Sequence, residues 1–137
     1  MGEEIMFISL IVPTLGSREF EIRRLLDSLK SQTYKNFEII VVSQDNFEKV
    51  EMILKEYNFI SKHIKLNRKG LSLARNVGLS YVSGNIVTFS DDDCWYPPNA
   101  FEMVVRDFEK NNNAISCYKI KDPIKKEYLR NYPDKFQ

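Results

Sequence analysis

The sequence predicts an α/β fold with a Rossmann-like, doubly wound and mostly parallel sheet flanked by helices. Three observations favour it: short apolar runs typical of buried strands, amphipathic segments between them, and four repetitions of that alternation. The chain has 137 residues, 43% of them hydrophobic and 28% charged, which is a composition typical of one globular core. We therefore expect one main domain.

The predicted strands are continuous apolar runs, as is typical of strands covered on both faces. In chain order they read MFISLIVPT, FEIIVV, the weaker KHIKLN, NIVTFS and AISCYKI. Four helices with apolar residues at helical spacing are expected at residues 16–32, 46–58, 71–84 and 99–111. Ser17 and Asn46 are the predicted N-caps of the first two helices, and Gly84 is expected to close the third.

The balance of charge gives no reason to expect a partner that is recognised by net charge alone. Twenty basic and 19 acidic side chains nearly cancel, so no nucleic acid partner is predicted. The two cysteines, Cys94 and Cys117, lack the number and spacing of a disulfide or metal framework, which favours a reducing, cytoplasmic location. No segment approaches the roughly 18 apolar residues that cross a bilayer, so any membrane contact is expected to be peripheral.

Three consecutive aspartates, Asp91, Asp92 and Asp93, follow the fourth predicted strand. Adjacent carboxylates repel each other unless a cation compensates their charge. Mg²⁺ or Mn²⁺ suits such oxygen ligands, with waters and a substrate diphosphate completing the coordination. The alternative is a solvated acidic turn before the next helix, because aspartate is common in turns and favourable near helix N-termini.

The position of these aspartates favours a ligand site. Ligands of doubly wound sheets bind outside the carboxyl ends of the strands, here residues 13–17, 43–46, 67–71 and 91–94. A phosphatase with an aspartyl nucleophile is disfavoured, because Trp95 stands where a hydrogen-bonding threonine is required. A dinucleotide-binding domain is disfavoured because PTLGSREF contains no G-x-G-x-x-G.

The segments SLIVPTLG, LLDSLKSQTYKNFEIIVVSQDN and GLSLARNVGLSYVSGNIVTFSDDDCWYPP together resemble the N-terminal half of a family 2 glycosyltransferase of the GT-A fold. The resemblance covers roughly residues 8–105 and implies a truncated GT-A-type fold. It implies an inverting transfer of a sugar from a nucleotide diphosphate sugar, UDP-sugar favoured, to a hydroxyl of a glycan or lipid-linked acceptor. Mn²⁺ or Mg²⁺ is the implied cofactor.

The same resemblance assigns roles at the first two strand ends. Pro13 and Thr14 would lie beside the nucleobase and ribose at the end of the first strand. After the second strand the family usually carries paired aspartates that help to hold the base, and this chain has Ser43 and Gln44 there. Gln44 is expected to hydrogen-bond a base edge, so the identity of the base is left open.

Two further segments carry implied donor contacts. The GLSLARN segment places Gly70, Leu71 and Arg75 along the donor site, with Arg75 a partner for phosphate or base. The D-x-D pattern assigns Asp93, with Asp91, to the metal. Asp92 or Asp91 would then contact the ribose or a metal-bound water.

The catalytic base implied by the resemblance belongs later in the chain, and no residue is assigned to it. Asp122, Glu127 and Asp134 are present but form no recognisable base motif. We expect residues 1–121 to bind a nucleotide sugar, and residues 122–137 to be a polar basic tail or the start of a missing acceptor-binding half. This chain alone is then expected to be inactive.

Two other function classes stay open from the sequence. One is a non-catalytic nucleotide-binding or interaction module with the same fold, favoured by the change at residues 43–44. The other is a nucleotidyltransferase, which would need a glycine-rich basic phosphate loop after the first strand, and TLGSREF matches that poorly. A cytoplasmic protein, at most at the membrane periphery, is expected in each case.

Overall fold

The computed structural model describes residues 5–110, 121–122 and 127–128. The strands are β1 Ile8–Thr14, β2 Phe37–Ser43, β3 Ile60–Lys65, β4 Ile86–Phe89, β5 Lys121–Asp122 and β6 Glu127–Tyr128. The helices are α1 Glu19–Lys30, α2 Phe47–Leu54, α3 Leu71–Leu79 and α4 Ala100–Lys110. By internal contacts the chain divides into two compact units, Met1–Glu102 and Met103–Gln137.

The first unit contains a parallel four-stranded sheet in the order β3-β2-β1-β4. Ile8 of β1 lies opposite Phe37 of β2 on one side and Ile86 of β4 on the other. The chain builds outward from β1 to β3 and then crosses back to place β4 on the far side of β1. The predicted doubly wound parallel sheet is therefore confirmed, and its strand order reverses between β1 and β4, where such sheets open a crevice.

The helices cover both faces of this sheet. Right-handed crossovers place α1 and α2 on one face and α3 on the other, because the chain moves in opposite directions across the sheet. Under α3 the core consists of Ile11, Ile40, Val42 and Ala74, all fully buried. A Cβ on Gly78 would lie 2.6 Å from Cγ2 of Ile11, so the glycine allows α3 to approach β1 closely.

Two predicted helix ends need correction, at the start of the first helix and at the end of the third. Arg18, not Ser17, is the N-cap of α1, and it makes no side-chain cap hydrogen bond. Asn46 is the N-cap of α2, as predicted, but its side-chain amide donates to the Leu15 carbonyl at 2.8 Å and makes no cap hydrogen bond within the helix. The third helix ends at Leu79, not at Gly84.

Position 84 requires glycine because of a close contact with the backbone of Phe7, not because a helix ends there. A Cβ there would lie 2.3 Å from the carbonyl oxygen of Phe7, so only glycine fits where the chain enters β4. The Gly84 amide donates to Ser9 Oγ at 2.8 Å, and Ser9 Oγ in turn donates to the buried carboxylate of Glu38 at 2.6 Å. This polar network fixes the start of β4, which leads to the three aspartates.

The end of α1 fixes the segment that follows those aspartates. Gln32 is fully buried. Its amide nitrogen donates to the Pro97 carbonyl at 2.8 Å, and its amide oxygen accepts from the Phe101 amide at 3.0 Å. The Thr33 amide donates to the Pro98 carbonyl at 2.8 Å. Gln32 and Thr33 therefore hold the chain between the acidic turn and α4.

The second unit contains an antiparallel pairing of β5 with β6, in which Lys121 lies opposite Tyr128 and Asp122 opposite Glu127. The predicted strand at residues 114–120 lies outside the described residues, as do the side chains of Asp122, Glu127 and Asp134. The domain boundary expected at residue 121 stays a prediction. Within the described ranges, no helix combines the length and apolar character needed to cross a membrane.

Candidate functional site

The candidate site begins where β1 and β4 end side by side. Thr14 Oγ1 donates a 2.7 Å hydrogen bond to Oδ2 of Asp92, and both residues are buried. The Gly16 amide donates to Thr14 Oγ1 at 3.0 Å, which orients the hydroxyl toward the carboxylate. The left-handed φ of 72° at Gly16 allows this tight turn after β1. The central aspartate is thus fixed to the neighbouring strand.

Arg18 is a site residue that the sequence did not reveal. Its Nη2 lies 2.6 Å from Oδ1 of Asp92 and its Nη1 lies 3.3 Å from Oδ2 of Asp93. The charge of Asp92 is the main cause that raises the pKa of Arg18, so this guanidinium stays positive. The predicted strand-end segment, residues 13–17, stops one residue before Arg18. The excess of acidic charge in the turn is the sequence signal that points to a nearby cation.

The side chains of Asp91 and Asp93 lie close together. One ligand atom from each, together with Sγ of buried Cys94, lie within 4.8 Å of one another. Two carboxylates suit Mg²⁺ or Mn²⁺, whereas a thiol is a softer ligand that these ions do not prefer. The residues therefore fit a hard divalent ion through Asp91 and Asp93, and Asp92 is outside this group because it faces β1.

The aromatic residue after the turn packs against a cation from α1. The Arg24 guanidinium lies 3.7 Å from the centre of the Trp95 ring, and its Nη2 donates to the Asp93 carbonyl at 3.2 Å. Tyr96 donates its hydroxyl to Ser90 Oγ at 2.8 Å. The structure shows the Trp95 ring packed against Arg24, and this contact helps to hold the backbone of the turn.

Gln44 is committed to the loop before α3. Its Nε2 donates to the Arg68 carbonyl at 3.0 Å and to the Gly70 carbonyl at 2.9 Å. Both amide protons of this buried side chain are therefore used inside the protein. This loop reaches α3 through Gly70, whose φ of 149° lies in the region that favours glycine. Gln44 thus shapes the rim of the site, and its contact with a base stays a prediction.

The other predicted donor residues lie along the same edge of the sheet. Pro13 is buried in β1, opposite Val42. Leu71 is the first residue of α3 and is 48% exposed. Arg75, one turn further along α3, brings Nη2 to 3.8 Å from Oδ1 of Asp91. The structure therefore brings Thr14, Arg75 and the acidic turn around one crevice.

Ser43, at the end of β2, contacts the only histidine of the chain. Ser43 Oγ lies 2.6 Å from Nε2 of His63, and Nδ1 of His63 lies 3.8 Å from Glu51 Oε1. Burial is the main cause that lowers the pKa of His63, so the imidazole is neutral at pH 7. Ser43 is fully buried, so this pair is part of the structural support of β2 and β3.

The family model described as Glycosyl transferase family 2 matches residues 9–136. The chain belongs to this glycosyltransferase family. Among curated relatives, glycosyltransferase GlyA of Streptococcus pneumoniae serotype 4 is 38% identical over a match of 102 residues that covers 72% of this chain and 14% of GlyA. The Escherichia coli UDP-Glc:alpha-D-GlcNAc-diphosphoundecaprenol beta-1,3-glucosyltransferase WfgD is 33% identical over 109 residues, 77% of this chain and 42% of WfgD.

Solved structures of the family share the fold. S. aureus TarS 1-349 in complex with UDP-GlcNAc superposes with a TM-score of 0.76 and 25% identity, covering 93% of this chain and 37% of that one. The resemblance to family 2 glycosyltransferases and the GT-A fold are thereby confirmed. The chain spans less than half the length of each of these three proteins.

Proposed function

We propose that this family 2 glycosyltransferase chain binds a UDP-sugar with Mn²⁺ or Mg²⁺ and is the donor-binding part of an inverting glycosyltransferase. The observation that carries the proposal is the shared place of Asp91 and Asp93 at the β1–β4 crevice, with their ligand atoms within 4.8 Å. The complex of TarS with UDP-GlcNAc supports a uridine donor.

Some residues of the site would contact the ligand, and others would hold those residues in place. Asp91 and Asp93 would hold the divalent ion, which when bound supplies positive charge to a leaving diphosphate. Arg75 lies beside Asp91 and offers a planar guanidinium suited to phosphate oxygens. Asp92 is assigned to support instead, because Thr14 and Arg18 already occupy its carboxylate.

The acceptor side of the reaction lies beyond these residues. An inverting transfer needs a carboxylate that takes the proton from the acceptor hydroxyl as the sugar moves. None of the described carboxylates is assigned this role, and we propose that the base comes from another part of the enzyme. A glycan or lipid-linked acceptor at the cytoplasmic membrane periphery is proposed, and the name of WfgD, a relative that acts on a diphosphoundecaprenol-linked sugar, supports it.

Metal-dependent nucleotide binding tests the proposal. Thermal unfolding of the 137-residue chain should be measured with UDP, GDP, CDP and TDP, each with and without Mn²⁺. We expect UDP with Mn²⁺ to raise the melting temperature, and Asp93→Asn to abolish the rise. Asp27→Asn is the matched control, because Asp27 lies on α1 and accepts a hydrogen bond from Tyr57, which an asparagine also accepts.

The absence of any metal-dependent shift with all four nucleotides would contradict the proposal. Equal shifts with and without Mn²⁺, retained in Asp93→Asn, would favour the non-catalytic nucleotide-binding module instead. Transfer of sugar to a glycan acceptor by the 137-residue chain itself would contradict the assignment of the catalytic base to another part of the enzyme.

A further inference from the structure

Arg18 contacts two of the three aspartates, the buried Asp92 and the proposed metal ligand Asp93. Its Nη2 is bound to Asp92, which is buried and fixed by Thr14, while its Nη1 reaches the more exposed Asp93 at 3.3 Å. The Arg18 side chain is 52% exposed, so its outer part is open to solvent beside Asp93. The same guanidinium therefore contacts both the aspartate that anchors the turn and an aspartate proposed to bind the ion.

A fixed positive charge so close to a cation site must affect what binds there. Arg18 and a bare divalent ion repel each other, and both are attracted to Asp93. A complex of UDP with the same ion carries net negative charge, because the diphosphate charge exceeds that of the ion. Arg18 therefore attracts the complex and repels the bare ion.

We propose that Arg18 is a positioning residue that weakens binding of the bare divalent ion and strengthens binding of the nucleotide–ion complex. In this role Arg18 neutralises the acidic turn before the donor arrives, and it makes metal binding depend on the nucleotide. The inference rests on the proposed function, since it requires the ion at Asp91 and Asp93.

The opposite signs of the two effects separate this role from a purely structural one. Loss of the Arg18–Asp92 contact alone would disorder the turn and weaken the binding of both ligands. Loss of the charge would strengthen binding of one and weaken binding of the other. The comparison therefore needs two titrations on the same variant.

The test is calorimetric titration of the 137-residue chain with Mn²⁺ alone, and with UDP at saturating Mn²⁺. We expect Arg18→Gln to bind Mn²⁺ alone roughly threefold to tenfold more tightly than the wild type, and UDP with Mn²⁺ more weakly by a similar factor. Arg18→Lys keeps the charge and should bind Mn²⁺ alone no more tightly than the wild type. Arg18→Met is a second neutral variant with a long aliphatic stem. It should show the same two changes in affinity, and it replaces Arg18→Gln if that variant folds poorly.

Arg23→Gln is the control for loss of an arginine from the same region. Arg23 is bound to Glu19 and Glu56 and contacts neither Asp92 nor Asp93, so both affinities should stay at the wild-type level. A neutral Arg18 variant whose Mn²⁺ affinity does not exceed that of the wild type overturns the inference. A wild-type chain that binds UDP equally with and without Mn²⁺ overturns the proposed function instead, so the two failures are distinguishable.

Discussion

The hydroxyl of Thr14 and the carboxylate of Asp92 are joined by a 2.7 Å hydrogen bond across 78 positions of sequence. The bond links the ends of β1 and β4 at the point where the strand order reverses. It turns the central aspartate of the three toward the protein, and the two outer aspartates remain together beside the crevice.

Replacement of Thr14 by valine removes this bond and keeps the shape of the side chain. We expect Thr14→Val to lower the free energy of unfolding by about 1–2 kcal/mol, because a buried carboxylate loses a donor. Urea unfolding measures it. Thr88→Val is the matched control, since the Thr88 hydroxyl is buried without a hydrogen-bond partner and its loss should cost nothing. Equal losses in both variants would show that the Thr14–Asp92 bond contributes no stability.

Substitutions of Gln44 test whether its amide holds the loop before α3. Gln44→Met removes two hydrogen bonds and should lower the free energy of unfolding by about 1–2 kcal/mol. Gln44→Glu should cost more, because its oxygens would face the Arg68 and Gly70 carbonyls at distances near 3 Å. Urea unfolding of both variants gives the order, and a glutamate variant as stable as the wild type would contradict the assigned contacts.

Glu38 is a buried acid remote from the aspartates that fixes the entry to β4. It accepts from the Ser9 hydroxyl, the Ser83 amide and Lys62. Burial pushes the pKa of Glu38 upward, but these three donors outweigh it and leave the pKa below its ordinary value. Glu38→Ala should lower the free energy of unfolding by about 2–3 kcal/mol, because the donors lose a charged acceptor.

Glu48→Ala is the comparison for Glu38, because Glu48 is exposed on the first turn of α2. It should cost less than about 1 kcal/mol, the usual value for a charge near a helix end. Chemical unfolding of both variants at pH 7 provides the measurement. A loss at position 38 no larger than at position 48 would show that the buried network does not stabilise the fold.

His63 should make stability depend on pH. Its folded pKa lies below the ordinary value, mainly because of burial, so the unfolded chain binds a proton at a higher pH than the folded chain. Stability is therefore greatest above the ordinary histidine pKa of about 6.5 and falls as the pH drops from there to the lower folded pKa. His63→Gln should remove this part of the loss. Urea unfolding of both proteins at pH 7.5 and at several lower pH values tests it, and parallel pH profiles would contradict the prediction.

The predicted fold followed from local patterns and was confirmed. Apolar runs and helical spacing placed all four strands and four helices of residues 8–110 close to their observed positions. The errors lie at helix ends, where tertiary contacts decide. Gly84 allows the close approach of the chain to the Phe7 carbonyl and does not end the third helix, which no local pattern reveals.

The sequence by itself determined that three aspartates follow a buried strand of a doubly wound sheet, because strand and turn propensities are local. Only the tertiary structure decided which of the three aspartates is anchored inside the protein and which two lie together as candidate metal ligands. The order β3-β2-β1-β4 brings β1 beside β4, so Thr14 and Arg18 meet Asp92, whereas ligand atoms of Asp91 and Asp93 lie within 4.8 Å of each other. These partners lie more than 70 residues apart, and only the packing of the strands brings them together.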